Sequence, residues 1–590
     1  MKKDILFILL LAAGLMSSCK KSFLNQQPLS QLSPGSSFSS ADELQLYINS
    51  FYNDVLPSFT DIYSNTTDNI ITAQLSQQLI GNLTVPVSGG GWSWSALRNI
   101  NFFLQNYSKG GLTGNITAPY VGAARFFRAY FYFKMVQQFG DVPWYSGAIN
   151  ANDSSLLLKP RDSRMLVIDS VLADLDYAIA NLPTQKSVDQ ITKWTALALK
   201  SRVCLYEGTW RKYHANDVFG KDSYGHPLTG ADSLLQECVD ASNALMNSGQ
   251  YTIYTSTPDQ AYAELFNSPT PISSEVILAR TFSAALQVYQ NVNYYTVSPS
   301  YGKPGLNQEL VNTYLMKDDS SFTDIPGYDT MQFYQSVQNR DPRLLQTVRG
   351  PGYTRLGSTK ELAPDFGATV TGYQLTKFVG PASQDPISKS LNPLPIFRYA
   401  EILLNYAEAK AELGTLTQAD IDKSIKLLRD RVGMPDLNMA YANANPDPYM
   451  ESEYPNVTGS NKGVLLEIRR ERRIELVMEG FRWNDLMRWA AGALLAKQFY
   501  GEYFPGPGSY DLNGDGKPDV VIYTGAEPPT QQGVVYLQLG SDITLSDGNS
   551  GNIIINGDIT KTFHENRDYL DPIPTQELLL NPNLKQNPGW

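Results

Sequence analysis

Histidine is scarce in this chain: His214, His226 and His564 are the only three in 590 residues. A nucleophile–histidine triad or a histidine-rich metal centre would have to be built from these. No H-E-x-x-H, phosphate-binding loop or G-x-S-x-G motif occurs. Cysteine is equally rare, and Cys19, Cys204 and Cys238 make no disulfide framework. Positive charge is in deficit, with 47 basic against 58 acidic residues and a net charge of −11. That disfavours nucleic acid, which needs a basic footprint. Beyond the N-terminus no run of about 18 apolar residues appears, so the mature chain offers no spanning helix. What is present is the composition of a globular protein, 42% hydrophobic and 18% charged, long enough to bury a large core. Tyrosine leads the aromatics, at 35 against 24 Phe and 8 Trp. An excess of this amphipathic ring suits a wet recognition surface.

Lys2 and Lys3 precede a 12-residue apolar run, Ile5 to Met16. It is too short to span a bilayer and reads as a signal peptide. Met16-Ser17-Ser18-Cys19 resembles the bacterial lipobox, which implies cleavage before Cys19 and lipid attachment to its thiol. Several acyl chains on one residue hold a protein to a membrane. Residues 1–18 are therefore read as signal peptide and 19–40 as a lipidated tether rich in Ser, Gln and Pro. Residues 41–250 are read as an N-terminal helical region. Residues 251–590 form a C-terminal region with loop-rich insertions, the whole expected as one integrated domain.

Helical periodicity recurs in pairs. Asp42–Leu56 is matched with Trp92–Tyr107. Val121–Phe139, stopped by Gly140-Asp141-Val142-Pro143, is matched with Arg161–Pro183. Lys193–Trp210 goes with Asp232–Gly249, and Phe397–Leu413 with Asp420–Val432. Ala196, Ala198, Ala241 and Ala244 allow close helix approach. Four such hairpins at irregular spacing resemble divergent tetratricopeptide repeats, each leaving a face for the next to cover. Cys204 and Cys238 fall on apolar faces within one hairpin. Buried thiols are expected there, with a disulfide as the alternative. Residues 250–395 and 490–563 lose the helical period and become loop-rich, and long loops commonly carry function.

Near the C-terminus, Glu467, Glu471, Glu475 and Glu479 follow at four-residue spacing, with Gly480 expected to end the helix. Four carboxylates on one helical face repel one another. Arg469, Arg470, Arg472 and Arg473 cannot all reach that face, so cations from elsewhere are required, Arg398 first among them. The reading is a partly buried ion-pair network, which constrains geometry more than it adds stability. Paired carboxylates also serve glycoside hydrolysis. Alternating Glu and Arg points instead to mutual neutralisation, not to two acids with separated pKa values.

This stretch, ERRIELVMEGFRWNDLMRW, resembles the signature of the SusD/RagB family, surface lipoproteins of nutrient uptake in Bacteroidetes. Other segments agree in order: FLNQQP at Phe23–Pro28, RAYFYFKMVQQFGDVPW at Arg128–Trp144, Asp341-Pro342-Arg343, and a closing segment with PIP and QNPG-aromatic elements. The resemblance covers nearly the whole mature chain. It implies a mainly α, SusD-like fold of four divergent tetratricopeptide-like hairpins with irregular ligand-binding insertions. It further implies a non-catalytic protein, lipid-anchored and exposed on the cell outer membrane. Its partners would be an oligosaccharide and a SusC-like TonB-dependent outer-membrane transporter. Peptide cargo, as in the RagB branch, is the alternative, and a glycan-degrading enzyme is a third reading.

Sugars are bound by aromatic platforms with a few polar groups in a concave site. Trp92 and Trp94 follow the flexible Ser88-Gly89-Gly90-Gly91, with Arg98 and Asn101 one and two turns on. These four residues and Tyr294, Tyr295 and Tyr301 are the candidate ligand contacts, expected to meet as one shallow platform. Asp511, Asn513, Asp515 and Asp519, with Gly516, match positions of a calcium loop. Ile522 stands where that loop needs a bidentate glutamate. A structural Ca²⁺ is the only cofactor suggested, and a plain Asn-Gly, Asp-Gly turn is the other reading.

Overall fold

The structure, a computed structural model, describes residues 38–60, 67–150 and 152–590. The segment read as a signal peptide, the lipobox-like run ending at Cys19 and FLNQQP lie outside them. Ser40 opens α1 (Ala41–Val55) by accepting the Glu43 N–H on its hydroxyl. The stripe Leu44, Ile48, Phe51 and Val55 faces the core. α2 (Ser95–Asn106) follows, then α3 (Gly114–Phe139), buried on nearly every side beyond Val121. Gly140 stops α3 at φ 71° and ψ −114°, a conformation that favours glycine. α4 (Arg164–Asn181) packs along α3, held by a buried Arg128–Asp174 pair at 2.6 Å. α5 (Lys193–Tyr213), opened by a Thr192–Thr195 capping box, packs along α6 (Ala231–Met246). Two short helices, α7 (Ala261–Asn267) and α8 (Val292–Val297), lie in the irregular middle. α9 (Tyr399–Glu412), α10 (Ile425–Val432), α11 (Lys462–Glu475) and α12 (Arg482–Arg488) complete the main helices. The described residues are 41% helical, a mainly α fold.

The second and third expected pairs pack as hairpins. The first and fourth differ: α1 leans more on α3 than on α2, and α9 more on α6 and α11 than on α10. The reason for α9 is its nearly complete burial, which demands neighbours on all sides. Cys204 and Cys238 sit across the α5–α6 contact as free, buried thiols, not a disulfide. Burial pushes both thiols above their ordinary range.

Strands are short. β1 (Ile70–Ile71), β2 (Val276–Arg280), β3 (Gly305–Leu306) and β4 (Leu394–Arg398) form two antiparallel pairs, β1 with β3 and β2 with β4. The stretch 490–563, read as loop, carries five more: β5 (Phe499–Phe504), β6 (Gly508–Tyr510), β7 (Val520–Tyr523), β8 (Val535–Gln538) and β9 (Gly551–Ile555). β5 pairs with β9; β6, β7 and β8 make a small mixed sheet. Val520 and Ile522 of β7, and Ile553 and Ile555 of β9, turn inward at alternate positions. One hydrophobic cluster joins these elements from Phe38 to Ile573.

The carboxylates of α11 are met by cations from other segments. α11 ends at Glu475, not at Gly480, and Glu479 sits in the following turn. Arg398 still reaches both, donating from Nη1 to Glu475 at 2.7 Å and from Nε to Glu479 at 2.6 Å. Arg431 donates to Glu475 at 2.6 Å, Arg343 to Glu471 at 3.0 Å, and Lys377 to Glu479 at 2.7 Å. Arg343 belongs to the Asp341-Pro342-Arg343 motif and also clamps Asp341 at 2.6 Å. Burial alone would raise the Glu475 carboxyl, but Arg431, Arg398 and Arg343 together hold it well below the usual carboxylate range. Arg469 takes another course, its guanidinium lying over the rings of Trp489, Tyr454 and Tyr213.

The C-terminal segment closes onto the first half of the chain. Buried Arg161 donates to the carbonyls of Phe139, Asp141 and Lys585, and to the Asn587 side chain at 2.6 Å. Asn587 in turn donates to the carbonyls of Phe139 and Asp571. These contacts account for the QNPG element.

Two predictions follow from the buried charges. Arg398→Ala leaves Glu475 and Glu479 short of a partner, so denaturant melts should show a loss of about 3–5 kcal/mol. Glu502 on β5 is the opposite case: fully buried, with both carboxylate oxygens lacking a partner among the described residues. Burial raises its pKa well above the ordinary value. A carboxyl raised in the folded state loses nothing below its unfolded pKa and costs stability as pH rises above it, about 1.4 kcal/mol per pH unit. Glu502→Gln should therefore raise the melting temperature at pH 7.5, and the gain should vanish near pH 4.

Candidate functional site

Asp68 links the charged core to the loops. It is fully buried, accepting from Arg473 at 2.8 Å and from Arg482 Nε at 2.7 Å. Burial pushes its carboxyl up, but Arg482 and Arg473 hold it down at about 2. Asn307 then donates its side-chain amide to the Asp68 carbonyl and its N–H to the Asn69 carbonyl. The register Ile70–Leu306 and Ile71–Gly305 follows. One step further, the Ala73 N–H donates to the Gly302 carbonyl at 2.8 Å. Residues 72–74 are thereby laid beside 300–302.

Between these edges opens a pocket of about 510 Å³, within the range of small-ligand sites. Phe59, Tyr295 and Tyr301 supply its rings; Thr60, Thr72, Gln74 and Ser300 supply hydroxyls and an amide. Every described lining residue is uncharged. Tyr301 is 43% exposed, and its ring meets those of Tyr295 at 4.6 Å and Tyr294 at 5.7 Å. Tyr295 is 7% exposed and forms the floor beneath Tyr301. Gly302 turns the chain at φ 84°, in the left-handed region that favours glycine. Phe59, Thr72 and Gln74 carry no local sequence signal. Thr72 and Gln74 arrive through a two-residue strand, too short for periodicity to reveal, and Phe59 follows the end of α1.

The other sequence candidates do not join this pocket. Trp92 is 7% exposed, packed edge-on against Phe139 at 4.9 Å and Trp94 at 5.4 Å. Trp94 is half-buried against Phe131, Tyr132 and Tyr145. Asn101 is buried, donating to the carbonyls of Tyr145 and Gly147 and accepting from Arg128. These residues brace α2 against α3 and the 145–147 turn, where large rings gain most from burial. Arg98 is exposed on the outer face of α2. None of Trp92, Trp94, Arg98 and Asn101 lines the Tyr301 pocket, so the single platform expected from sequence is two separate clusters.

In the Asp511–Asp519 loop the side-chain oxygens face the loop's own backbone. Asp511 accepts from Gly514 and Gly516, Asn513 from Asp515, and Asp519 from Leu512 and Asn513. Among the described residues no group of three His, Cys, Asp or Glu side chains is placed to hold a metal ion. The geometry is that of side-chain-capped turns. His214 is fully buried between Asp217 and the Met487 carbonyl.

The model of the SusD family matches residues 274–590. The chain belongs to the SusD family. A second model, described as starch-binding associating with outer membrane, matches residues 93–205. Two SusD-like proteins of Formosa agariphila are each 24% identical to this chain. One alignment covers 82% of this chain and 91% of the relative; the other covers both chains in full. Among solved structures, a SusD-like protein of Bacteroides fragilis has a TM-score of 0.69 at 20% identity, covering 96% of this chain and 100% of its own. A SusD-like carbohydrate binding protein of the same organism has a TM-score of 0.68 at 21% identity, covering 93% of this chain and 99% of its own. This likeness shows the SusD fold. Among the described residues no helix is long and apolar enough to cross a membrane.

Proposed function

We propose that this SusD-family chain binds a neutral oligosaccharide in the Tyr295–Tyr301 pocket without altering it. The observation that carries this is the lining itself: three aromatic rings among hydroxyls and an amide, with no charge on any described wall residue. Aromatic faces suit the C–H faces of a sugar, and the polar groups suit its hydroxyl edges. In a protein of net charge −11, an uncharged pocket favours a neutral ligand over an anionic one. The carbohydrate binding named for a structural neighbour agrees. The chain would be tethered to the outer membrane through lipid on Cys19 and would pass its cargo to a SusC-like TonB-dependent transporter.

Tyr301 is exposed enough for its removal to leave the core intact. Calorimetry with the cognate oligosaccharide should show Tyr301→Ala weakening binding by at least about 1–2 kcal/mol, while Trp92→Ala acts through stability. Wild-type affinity in Tyr301→Ala, or preference for peptides over every glycan tested, would place the ligand elsewhere or change its class. For the anchor, mass spectrometry should find an acylated Cys19 at the mature N-terminus, and Cys19→Ala should release the protein from the membrane fraction. An unmodified N-terminus would sink that assignment.

A further inference from the structure

A second and larger cleft, about 900 Å³, opens between α7 and the chain around 337–356. It shares no lining residue with the Tyr301 pocket. Thr376 on its wall is 5% exposed, and its Oγ1 has no partner among the described residues. Asn267, the last residue of α7, lines the same cleft, and its buried Oδ1 also lacks a partner. A buried polar atom without a partner costs about 1–3 kcal/mol. Two such atoms on one cavity wall point to hydrogen-bonding groups supplied from outside the chain.

The remaining walls narrow the chemistry. Tyr353 is half-buried and Leu356 is 48% exposed, offering apolar surface at the rim. The charged groups are largely spoken for. Asp341 is clamped by Arg343, and Arg340 donates to the carbonyls of Ser336, Val311 and Tyr314. Glu264 accepts from the hydroxyls of Tyr254 and Ser256, and Asp259 and Lys317 remain, one of each sign. Among the described residues none of β1 to β9 borders the cleft, and only isolated bridges at Arg340 and Thr354 touch it, which disfavours a peptide adding as a strand.

We propose that this cleft is a second binding site for a neutral oligosaccharide, with Thr376 and Asn267 as hydrogen-bonding groups and Tyr353 and Leu356 as apolar contacts. The proposal rests on the reading of the chain as an oligosaccharide binder. Two sites on one rigid body would let a long glycan engage both, favouring long chains over short ones by effective concentration.

The test is calorimetry on the mature protein with soluble neutral oligosaccharides of the cello, xylo and malto series. Two equivalents of a short oligosaccharide are expected for the wild type. Leu356→Asp with Tyr353→Ala should weaken one of them by about tenfold and leave the other unchanged. Thr376→Val keeps the shape, removes the hydroxyl and should weaken the same site. Tyr301→Ala should affect only the other. One equivalent, unmoved by Thr376→Val and by the Leu356/Tyr353 variant, overturns the second site and leaves the Tyr301 pocket standing. Binding lost in those variants but unchanged in Tyr301→Ala supports the cleft and removes the pocket. No binding across the panel overturns both.

Discussion

Asp68 is the point on which the binding surface depends. It is a fully buried carboxylate two residues before β1, and it is charged only because Arg473 and Arg482 face it. Removing two charges from water is expensive unless geometry and hydrogen bonds are nearly complete. That requirement fixes where Asp68 can sit, and with it the start of β1. The paired strand then places Thr72 and Gln74 against Ser300 and Tyr301. A pocket made of loops acquires a defined shape because its anchor is ionic and buried.

The helices were legible because burial of an apolar stripe leaves a 3.6-residue trace in sequence. The need for outside cations at α11 was legible too, since four carboxylates at i,i+4 spacing must be compensated. Arg398 was found in that way. Arg343 and Arg431 were not, because nothing local in their own segments requires them to meet Glu471 and Glu475. The strands after residue 490 hid behind turn residues, though the alternation in VVIY and GNIII was present. Trp92 misled because a ring next to three glycines looks exposed. The structure instead drops it onto Phe139, and its burial is set by α3, whose Phe139 lies nearly fifty residues on. The exposure of Tyr301 was legible because its loop is rich in Tyr, Ser and Gly. Its neighbours across the pocket were not, since the pairing spans more than two hundred positions.

Charge is distributed with a consistent logic. The core holds dense ionic groups, most of them answered within a few ångströms and Glu502 the exception, while the described residues of the Tyr301 pocket carry no charge. The core network thus sets geometry, and its charged groups do not themselves line the site among the described residues. Ligand choice is left to ring placement and to a few hydroxyls and amides. Loop residues there can vary while the buried pairs stay fixed.

The clasp between Arg161 and Asn587 bears on the order in which the molecule can be made. Two of the four acceptors of Arg161, the Lys585 carbonyl and the Asn587 side chain, lie 424 and 426 residues further along the chain. Contacts of such long sequence separation form slowly. A chain that emerges N-terminus first cannot complete this clasp until nearly its whole length has been delivered.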